Sequence, residues 1–209
     1  MSYYIEIPTL LCYNVRNTFI KRRGDIMTNT DMIKEYNEKI NKVIITEEQI
    51  KDAIAKAGKE IDKLYDGTPI LLISILKGSF VFLADLCRAV SVPCEVDFMC
   101  AKSYYNGTQS SGVVKITKDL DRDISGYNIV IVEDIVDTGR TLKDIVRLLK
   151  ERSPKSVKVV SLLDKPDRRL VDFEADMALF KIPDLFVIGY GLDCAELYRN
   201  LPYIAEYKQ

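Results

Sequence analysis

The feature that most constrains this chain is the run NIVIVEDIVDTGRTL at residues 128–142. It opens with four consecutive apolar residues, 129–132, a pattern typical of a strand that is buried on both faces of a parallel sheet. Glu133 and Asp134 follow where that strand is expected to end, and ligands of open α/β sheets bind outside the carboxyl ends of strands. The run therefore predicts an α/β fold with a ligand site beside two carboxylates.

A short loop and a helix complete this run. The loop, residues 137–141, contains small and hydroxyl residues, and Gly139 allows a ligand to approach the backbone closely. Unpaired N–H groups at the start of a helix bind anions, so the loop suits a phosphate. The apolar face of the predicted helix consists of Leu142, Ile145, Val146 and Leu149. A solvated acidic turn with an ordinary N-cap would explain any one of these features, but not the whole run. A phosphate site beside carboxylates suits a ligand that also carries hydroxyls or a divalent cation, such as a ribose phosphate.

The same run resembles the phosphoribosyl pyrophosphate motif of the type I phosphoribosyltransferases. Its form EDIVDTGRTL is similar to that of the hypoxanthine-guanine phosphoribosyltransferases. The resemblance extends over residues 43–207. It implies the type I phosphoribosyltransferase fold, a mostly parallel sheet flanked by helices, with a small hood lobe built from the chain ends.

The resemblance also implies a reaction and a set of roles. Hypoxanthine or guanine reacts with Mg²⁺-bound phosphoribosyl pyrophosphate to give the nucleotide and pyrophosphate. Asp137 is the general base on the purine N7 proton, and Glu133 and Asp134 hold the ribose hydroxyls. The residues implied for the 5′-phosphate are Asp137, Thr138, Gly139, Arg140 and Thr141. Those implied for the metal are Glu133, Asp134 and Asp193.

Upstream of the motif the sequence predicts a helix, a strand, a short basic loop and a second helix. TEEQ at residues 46–49 has the form of a capping box, and Asp66-Gly67 ends the helix that follows. Residues 70–76 indicate another buried strand, and residues 80–90 a helix. The apolar face predicted for that helix is Phe80, Leu83, Ala84 and Cys87. By composition the loop Lys77-Gly78-Ser79 is an ordinary connector. By the resemblance, Lys77 and Gly78 bind pyrophosphate together with Arg199.

A polar stretch at residues 101–112 follows a predicted strand at residues 94–100 and precedes another at 113–117. Its composition is that of a mobile hairpin loop, but long loops in compact domains are often covers of active sites. Ser103 and Tyr104 match the pair that begins the flexible catalytic loop of this family. The resemblance therefore favours a lid, which would keep water from the reactive sugar cation.

The last third of the chain carries the residues that the resemblance assigns to the purine. Strands are predicted at residues 157–163, 178–182 and 203–207, with an irregular segment at 167–176. A lysine after a strand is usually a solvated strand end. The resemblance instead has Lys165 donate to the purine 6-oxo group, which would select hypoxanthine or guanine over adenine. It also has Phe186 stack on the purine, the Val187 backbone contact the ring edge, and Asp193 contact the 2-amino side.

Composition limits the available chemistry. The 209 residues include no histidine, so acid/base work falls to carboxylates, Lys or Tyr, and a metal to oxygen ligands, which favours Mg²⁺. The net charge of −1 gives no reason to expect nucleic-acid or membrane binding. Five cysteines without C-x-x-C spacing argue against a disulfide framework or a zinc site and suit a reducing cytoplasm.

The sequence also suggests domain bounds, and it leaves alternative functions open. Residues 1–26 are expected to be an N-terminal extension without function, with a targeting peptide as the alternative, and residues 27–209 the phosphoribosyltransferase domain. A xanthine-preferring enzyme and a nucleotide-sensing regulator on the same fold are the alternative functions. A regulator would be expected to add a basic face or to lose the acid at position 137, and this sequence does neither. The family tends to dimers and tetramers, so a homodimer or homotetramer is expected.

Overall fold

The computed structural model describes residues 21–22, 25–26, 29–103 and 114–208. The chain divides into two compact units, Met1–Ile40 with Lys208–Gln209, and Asn41–Tyr207. The first unit contains the short antiparallel strands β1 (Lys21–Arg22) and β2 (Asp25–Ile26) and helix α1 (Asn29–Glu38). The sequence patterns above do not predict α1. The expected boundary between residues 26 and 27 stays a prediction.

From residue 40 onward, the chain alternates strands and helices in the order expected of an α/β fold. In chain order the elements are β3 (Ile40–Ile45), α2 (Glu47–Tyr65), β4 (Ile70–Leu76), α3 (Phe80–Ala89), β5 (Cys94–Ser103), β6 (Val114–Lys118), β7 (Asn128–Val136), α4 (Arg140–Lys150), β8 (Ser156–Asp164), a 3₁₀ turn (Pro166–Arg168), β9 (Met177–Lys181), β10 (Val187–Ile188) and β11 (Ile204–Tyr207). None of the described helices is long and apolar enough to cross a membrane.

The main sheet has six strands in the order β6-β5-β4-β7-β8-β9. Every neighbouring pair is parallel except β5 and β6, which are antiparallel. The prediction of a mostly parallel sheet is therefore confirmed. Strands β4 and β7 are neighbours at its centre, so the loops that follow them start at the same edge of the sheet.

The two central strands are apolar on both faces because helices cover both. Side chains alternate along a strand. On β4, Leu72 belongs to the core on the α2 and α3 side, whereas Leu71 and Ile73 belong to the core on the α4 side. Strand β7 alternates in the same way, with Val130 on the first side and Ile131 on the second. This two-sided burial explains why both strands appear in the sequence as continuous apolar runs.

Helix α2 begins where the sequence predicts. Thr46 accepts a hydrogen bond from the Gln49 N–H, and the Gln49 side chain accepts one from the Thr46 N–H, so the capping box is present. The helix ends at Asp66, which adopts the left-handed conformation.

The predicted apolar face of α3 is only partly confirmed: Leu83 is buried and Cys87 packs against the core, but Phe80 and Ala84 are exposed. The buried residues of the helix are Phe82, Leu83 and Leu86. Because most positions of this helix are apolar, the sequence has no polar stripe that would orient it.

A second, three-stranded sheet stands apart from the main one, in the order β10-β11-β3. Its strands come from the beginning and the end of the region that resembles the family. Strands β10 and β11 are antiparallel, with Val187 opposite Glu206. This small sheet agrees with the predicted hood lobe.

Candidate active site

The site is built around Glu133 and Asp134 on β7. The sequence suggested that these two residues follow the strand. Instead they lie within it, because β7 continues to Val136 along its ladder with β8. On the other side, however, the ladder between β7 and β4 ends at Val132, opposite Ser74. The two carboxylates therefore lie where β4 and β7 part, at the sheet edge from which the Lys77-Gly78 loop leaves.

The loop after β4 lies directly against the acid pair. A Cβ atom at Gly78 would overlap the carboxylate of Asp134, so only glycine leaves room there. On its other side, a Cβ atom at Gly191 would overlap the Gly78 carbonyl. The peptide bond between Leu76 and Lys77 is cis. The predicted pyrophosphate loop is thus packed between β7 and the segment that follows β10.

A buried pair of hydroxyls holds this loop from below. The Ser79 hydroxyl donates to the Ile75 carbonyl at 2.7 Å and lies 2.7 Å from the Ser74 hydroxyl. Both side chains are fully buried. Ser79, the residue just before α3, therefore connects the loop to the end of β4.

The pKa values of both acids, Glu133 and Asp134, are raised. Burial, followed by the charge of Asp134, raises the pKa of Glu133 well above its usual value. Burial also raises the pKa of Asp134, although hydrogen bonds and the attraction of Arg199 oppose this. The Glu133 Oε2 atom is buried and has no hydrogen-bond partner among the described residues. A buried acceptor without a donor is costly, so this atom is suited to a ligand hydroxyl or a cation.

The predicted phosphate loop runs from β7 into α4. Gly139 has a φ of 80°, which favours glycine, and α4 begins at the next residue. The segment after Lys165 covers this loop: the Leu170 N–H donates to the Thr138 carbonyl at 3.0 Å. A Cβ atom at Gly139 would lie 2.9 Å from Arg169 Cδ, so the two segments are in close contact.

Two arginines that carried no signal in the sequence fix Asp137. The Arg169 guanidinium donates to the Asp137 carbonyl and to the buried Asp164 carboxylate at the end of β8. Arg168 donates from Nε to the Asp137 carboxylate at 3.1 Å. This hydrogen bond is the main reason that the pKa of Arg168 is raised. Both the backbone and the side chain of Asp137 are therefore held by the segment that follows β8.

Lys165 lies beside the same cluster. Its Nζ is 3.7 Å from the Asp184 carboxylate, and its side chain is only 12% exposed. Asp184 is also 3.4 Å from the Arg168 guanidinium. The order of charges is therefore Asp137, Arg168, Asp184 and Lys165, alternating in sign.

The predicted purine residues of the hood lie on β10 and just before it. Phe186 is exposed on one side and meets the ring of Tyr207 edge to face, with centroids 5.6 Å apart. Val187 is buried and pairs with β11. An exposed aromatic face beside a fixed backbone strand can stack on a planar ring.

The cations predicted for pyrophosphate meet at one carboxylate. Glu196 accepts hydrogen bonds from Lys77 Nζ at 2.9 Å and from Arg199 at 3.3 Å. Arg199 is also 2.7 Å from Asp193 and donates to the Gly191 carbonyl at 2.8 Å. Lys77, Glu196 and Arg199 line a cavity of about 520 Å³ together with apolar residues. Sequence reasoning missed Glu196, and its only signal is that it lies near Arg199 in the chain.

The fit of a divalent metal depends on the acid pair. No cluster of three or more His, Cys, Asp or Glu side chains in the described part of the chain could hold a metal by itself. Both oxygens of Asp193 already have partners, Arg199 and the Glu196 N–H. Mg²⁺ is often held by one or two carboxylates together with substrate oxygens, and Glu133 and Asp134 offer that number of hard ligands. The donor set therefore fits a metal that arrives with a phosphorylated substrate.

The structure thus brings most of the predicted residues to one edge of the sheet and its hood. Strand β5 extends to Ser103, which pairs with Val114, so residues 101–103 of the stretch predicted to be a lid belong to a strand. Tyr104 and the rest of that stretch, up to residue 113, lie outside the described residues.

Comparison with known proteins identifies the family of the chain. A family model described as the phosphoribosyl transferase domain matches residues 43–195. The chain belongs to this family.

The similar proteins are more specific than the family. The chain is 48% identical to a hypoxanthine-guanine phosphoribosyltransferase of Streptococcus pneumoniae over 81% of its own length and 94% of the relative's. It is 50% identical to a hypoxanthine phosphoribosyltransferase of Salmonella typhimurium, over 78% and 93% of the two chains. A crystal structure of a hypoxanthine phosphoribosyltransferase from Staphylococcus aureus superposes with a TM-score of 0.80 at 45% identity, covering 83% of this chain and 95% of that one.

Proposed function

We propose that this chain is a purine-salvage enzyme. It transfers the 5-phosphoribosyl group of phosphoribosyl pyrophosphate to hypoxanthine or guanine, giving IMP or GMP and pyrophosphate. The relatives named above support this reaction. The observation that carries it is the partly buried acid pair, with the buried Glu133 Oε2 atom lacking a partner among the described residues, between a basic loop and a phosphate loop at the start of a helix.

The sugar phosphate is proposed to lie along β7 and the start of α4. Glu133 and Asp134 accept hydrogen bonds from the ribose hydroxyls, which would supply the donor that Glu133 Oε2 lacks. The five residues from Asp137 to Thr141 offer backbone N–H groups and hydroxyls to the 5′-phosphate. As the bond to pyrophosphate breaks, positive charge develops on the sugar, and the two carboxylates stabilise it.

The purine is proposed to lie between the Asp137 loop and the hood. Asp137 removes the N7 proton as the new bond forms. Lys165 donates to the 6-oxo group, a contact that adenine cannot make because its amino group is itself a donor. Phe186 stacks on the ring, the Val187 backbone contacts its edge, and Asp193 lies toward the 2-amino side.

The leaving pyrophosphate is proposed to lie beside the loop after β4. Lys77, the Gly78 backbone and Arg199 take up its negative charge. Ser103 and Tyr104 begin a lid that excludes water from the sugar cation. Mg²⁺ would neutralise charge on the phosphates when bound. Glu133 and Asp134 would hold it, together with Asp193 once Arg199 has turned from that carboxylate to the pyrophosphate.

We also propose how the chain is organised. Residues 1–26 are an extension without function, residues 27–209 form the enzyme, and the assembly is a homodimer or homotetramer. The enzyme acts in the cytoplasm on small molecules. The thiols of Cys87, Cys94, Cys100 and Cys194 are free, which suits a reducing compartment.

The test is nucleotide formation from hypoxanthine, guanine, xanthine and adenine, each with phosphoribosyl pyrophosphate, with and without Mg²⁺. The proposal expects metal-dependent turnover of hypoxanthine and guanine, and little with adenine. Turnover of xanthine above the other two would shift the assignment to a xanthine enzyme. Tight binding of phosphoribosyl pyrophosphate without turnover of any base would indicate a regulator and contradict the proposal.

A further inference from the structure

Arg168 bridges two carboxylates that belong to different parts of the purine site. Its Nε donates to Asp137 at 3.1 Å, and its terminal nitrogen is 3.4 Å from Asp184. Asp184 in turn is paired with Lys165. The bridge therefore joins the proposed general base to the proposed 6-oxo donor, and any role for it in catalysis rests on the proposed function.

The chemistry of a 6-oxopurine explains why such a bridge would matter. The N7 and 6-oxo positions are neighbours on one edge of the ring. A base that takes the N7 proton and a donor to the 6-oxo group must therefore lie close together, and their spacing must be fixed before the purine binds. The ladder between β7 and β8 pairs Val136 with Asp164, and the Lys165 N–H donates to the Val136 carbonyl at 2.9 Å, so the backbones of Asp137 and Lys165 are already neighbours. The ladder does not fix the directions of their side chains, and these set the spacing of the two polar groups.

The geometry of the Lys165 pair leaves the ammonium able to bind. A separation of 3.7 Å is an ion pair, but it is longer than a hydrogen bond. Asp184 thus attracts the Lys165 ammonium and limits where it points, while its N–H donors stay available to an acceptor on the ligand.

An arginine suits this bridge better than a lysine. The guanidinium presents donors in a rigid plane, so one side chain can bind two carboxylates in fixed directions. Arg168 uses Nε for one and a terminal nitrogen for the other.

In the segment after β8, the neighbouring Arg169, and not Arg168, is the arginine that stabilises the fold. Arg169 is largely buried and binds the Asp137 carbonyl and Asp164. Arg168 is about half exposed, and its carboxylate partners are similarly exposed. Exposed ion pairs contribute little to folding stability, so removal of the Arg168 bridge should leave the fold intact.

We infer that Arg168 and Asp184 are positioning residues that set the spacing of Asp137 and Lys165 and thereby the recognition of 6-oxopurines. Neither needs to contact the substrate for this role. Their effect passes through the two side chains that do.

The test uses Arg168→Gln, Asp184→Asn and the double variant in the full chain. We expect kcat/KM for hypoxanthine to fall about tenfold in each single variant, which corresponds to about 1.4 kcal/mol. The double variant should fall little further, because both substitutions break one bridge and neighbouring effects are not additive. KM for phosphoribosyl pyrophosphate and the urea midpoint should stay at their wild-type values. Arg168→Lys should recover only part of the loss.

Arg147→Gln is the matched control. Arg147 also lies between two carboxylates, Asp144 and Glu151, but on the exposed face of α4. Its substitution should change none of these values. Unchanged hypoxanthine kinetics in Arg168→Gln and Asp184→Asn, or equal losses for both substrates, would overturn the inference. A wild-type chain without turnover of any 6-oxopurine would overturn the proposed function first, and the inference with it.

Discussion

The purine side and the pyrophosphate side of the site use the same pair of groups in different ways. On each side a lysine is held by a carboxylate of the protein. Lys165 lies 3.7 Å from Asp184 and is 12% exposed. Lys77 donates a 2.9 Å hydrogen bond to Glu196 and is 66% exposed. Lys165 is thus enclosed and loosely paired, whereas Lys77 is exposed and directly hydrogen-bonded to its carboxylate.

The charge of the incoming ligand explains what this difference means. A purine 6-oxo group is a neutral acceptor, so a carboxylate near Lys165 orients the donor without competing for it. Pyrophosphate is an anion, so it competes with Glu196 for both Lys77 and Arg199. A lysine paired with a carboxylate can therefore still bind a neutral ligand directly, as proposed for Lys165, or must first exchange its carboxylate for an anionic ligand, as proposed for Lys77. The distance within the pair and the charge of the ligand distinguish the two cases.

The strongest test of the purine side is Asp137→Asn. An amide cannot accept the N7 proton, so we expect turnover to fall by roughly 10² to 10⁴, the range of a general base. KM for phosphoribosyl pyrophosphate should change little. Steady-state kinetics with both substrates measures this split, and Asp144→Asn on α4 serves as the control. Turnover close to wild type would remove Asp137 from the chemistry.

The two lysines give the sharpest comparison. Lys165→Gln should lower kcat/KM for hypoxanthine about tenfold and reduce its preference over adenine, whereas Lys77→Gln should raise KM for phosphoribosyl pyrophosphate about tenfold. The measurement is a full kinetic matrix of two variants against two substrates. If both variants affected the same substrate, the division of the site into two sides would be wrong.

Glu133 lies between the two sides, and its substitution should separate stability from activity. Because the pKa of Glu133 is raised in the folded protein, its ionised form opposes folding. Glu133→Gln should therefore raise the free energy of unfolding by roughly 1 kcal/mol at pH 8 and reduce turnover.

The pH dependence gives this prediction a sign. As the pH falls through the raised pKa, folded wild-type protein takes up the proton and the advantage of the variant disappears. Urea unfolding at several pH values measures the difference. A variant that is less stable than wild type at pH 8 would mean that the carboxylate supports the fold.

The smallest expected effect is that of Glu196→Gln. The hydrogen bonds to Lys77 and Arg199 lower the pKa of Glu196, which shows that the two cations favour its ionised form. Neutralising it should free them, so KM for phosphoribosyl pyrophosphate should fall about threefold, the range expected of an exposed ion pair. Asp184→Asn should act in the opposite direction on hypoxanthine. A rise of KM in Glu196→Gln would place Glu196 among the supporting residues.

Much of the fold could be predicted from local sequence. Strand β4 has the predicted bounds, because a run of apolar residues between Pro69 and a Lys-Gly turn leaves little choice. The capping box at Thr46 is equally local. Of the buried face of α3 only Leu83 was predicted correctly, and Phe82 and Leu86 were not, because the orientation of the helix depends on contacts with α2 and the sheet.

In the site, too, residues of a local motif could be predicted, whereas residues with distant partners could not. The residues of the motif on β7 and α4 were predicted because they are contiguous and chemically unusual. Glu196, Arg168 and Asp184 were not, because their meaning depends on partners far along the chain: Lys77 and Glu196 are 119 residues apart, and Asp137 and Arg168 are 31 apart. Only folding brings such charges together.

The most direct test is a crystal structure of the chain with a 6-oxopurine nucleotide, Mg²⁺ and pyrophosphate. We expect the 6-oxo atom to lie within about 3.2 Å of Lys165 Nζ, while Asp184 keeps its place beside that lysine. We also expect Lys77 to have left Glu196 for pyrophosphate. Two results would contradict this difference between the two sides. One is a purine bound away from Lys165, and the other is pyrophosphate bound while the hydrogen bond between Lys77 and Glu196 stays intact.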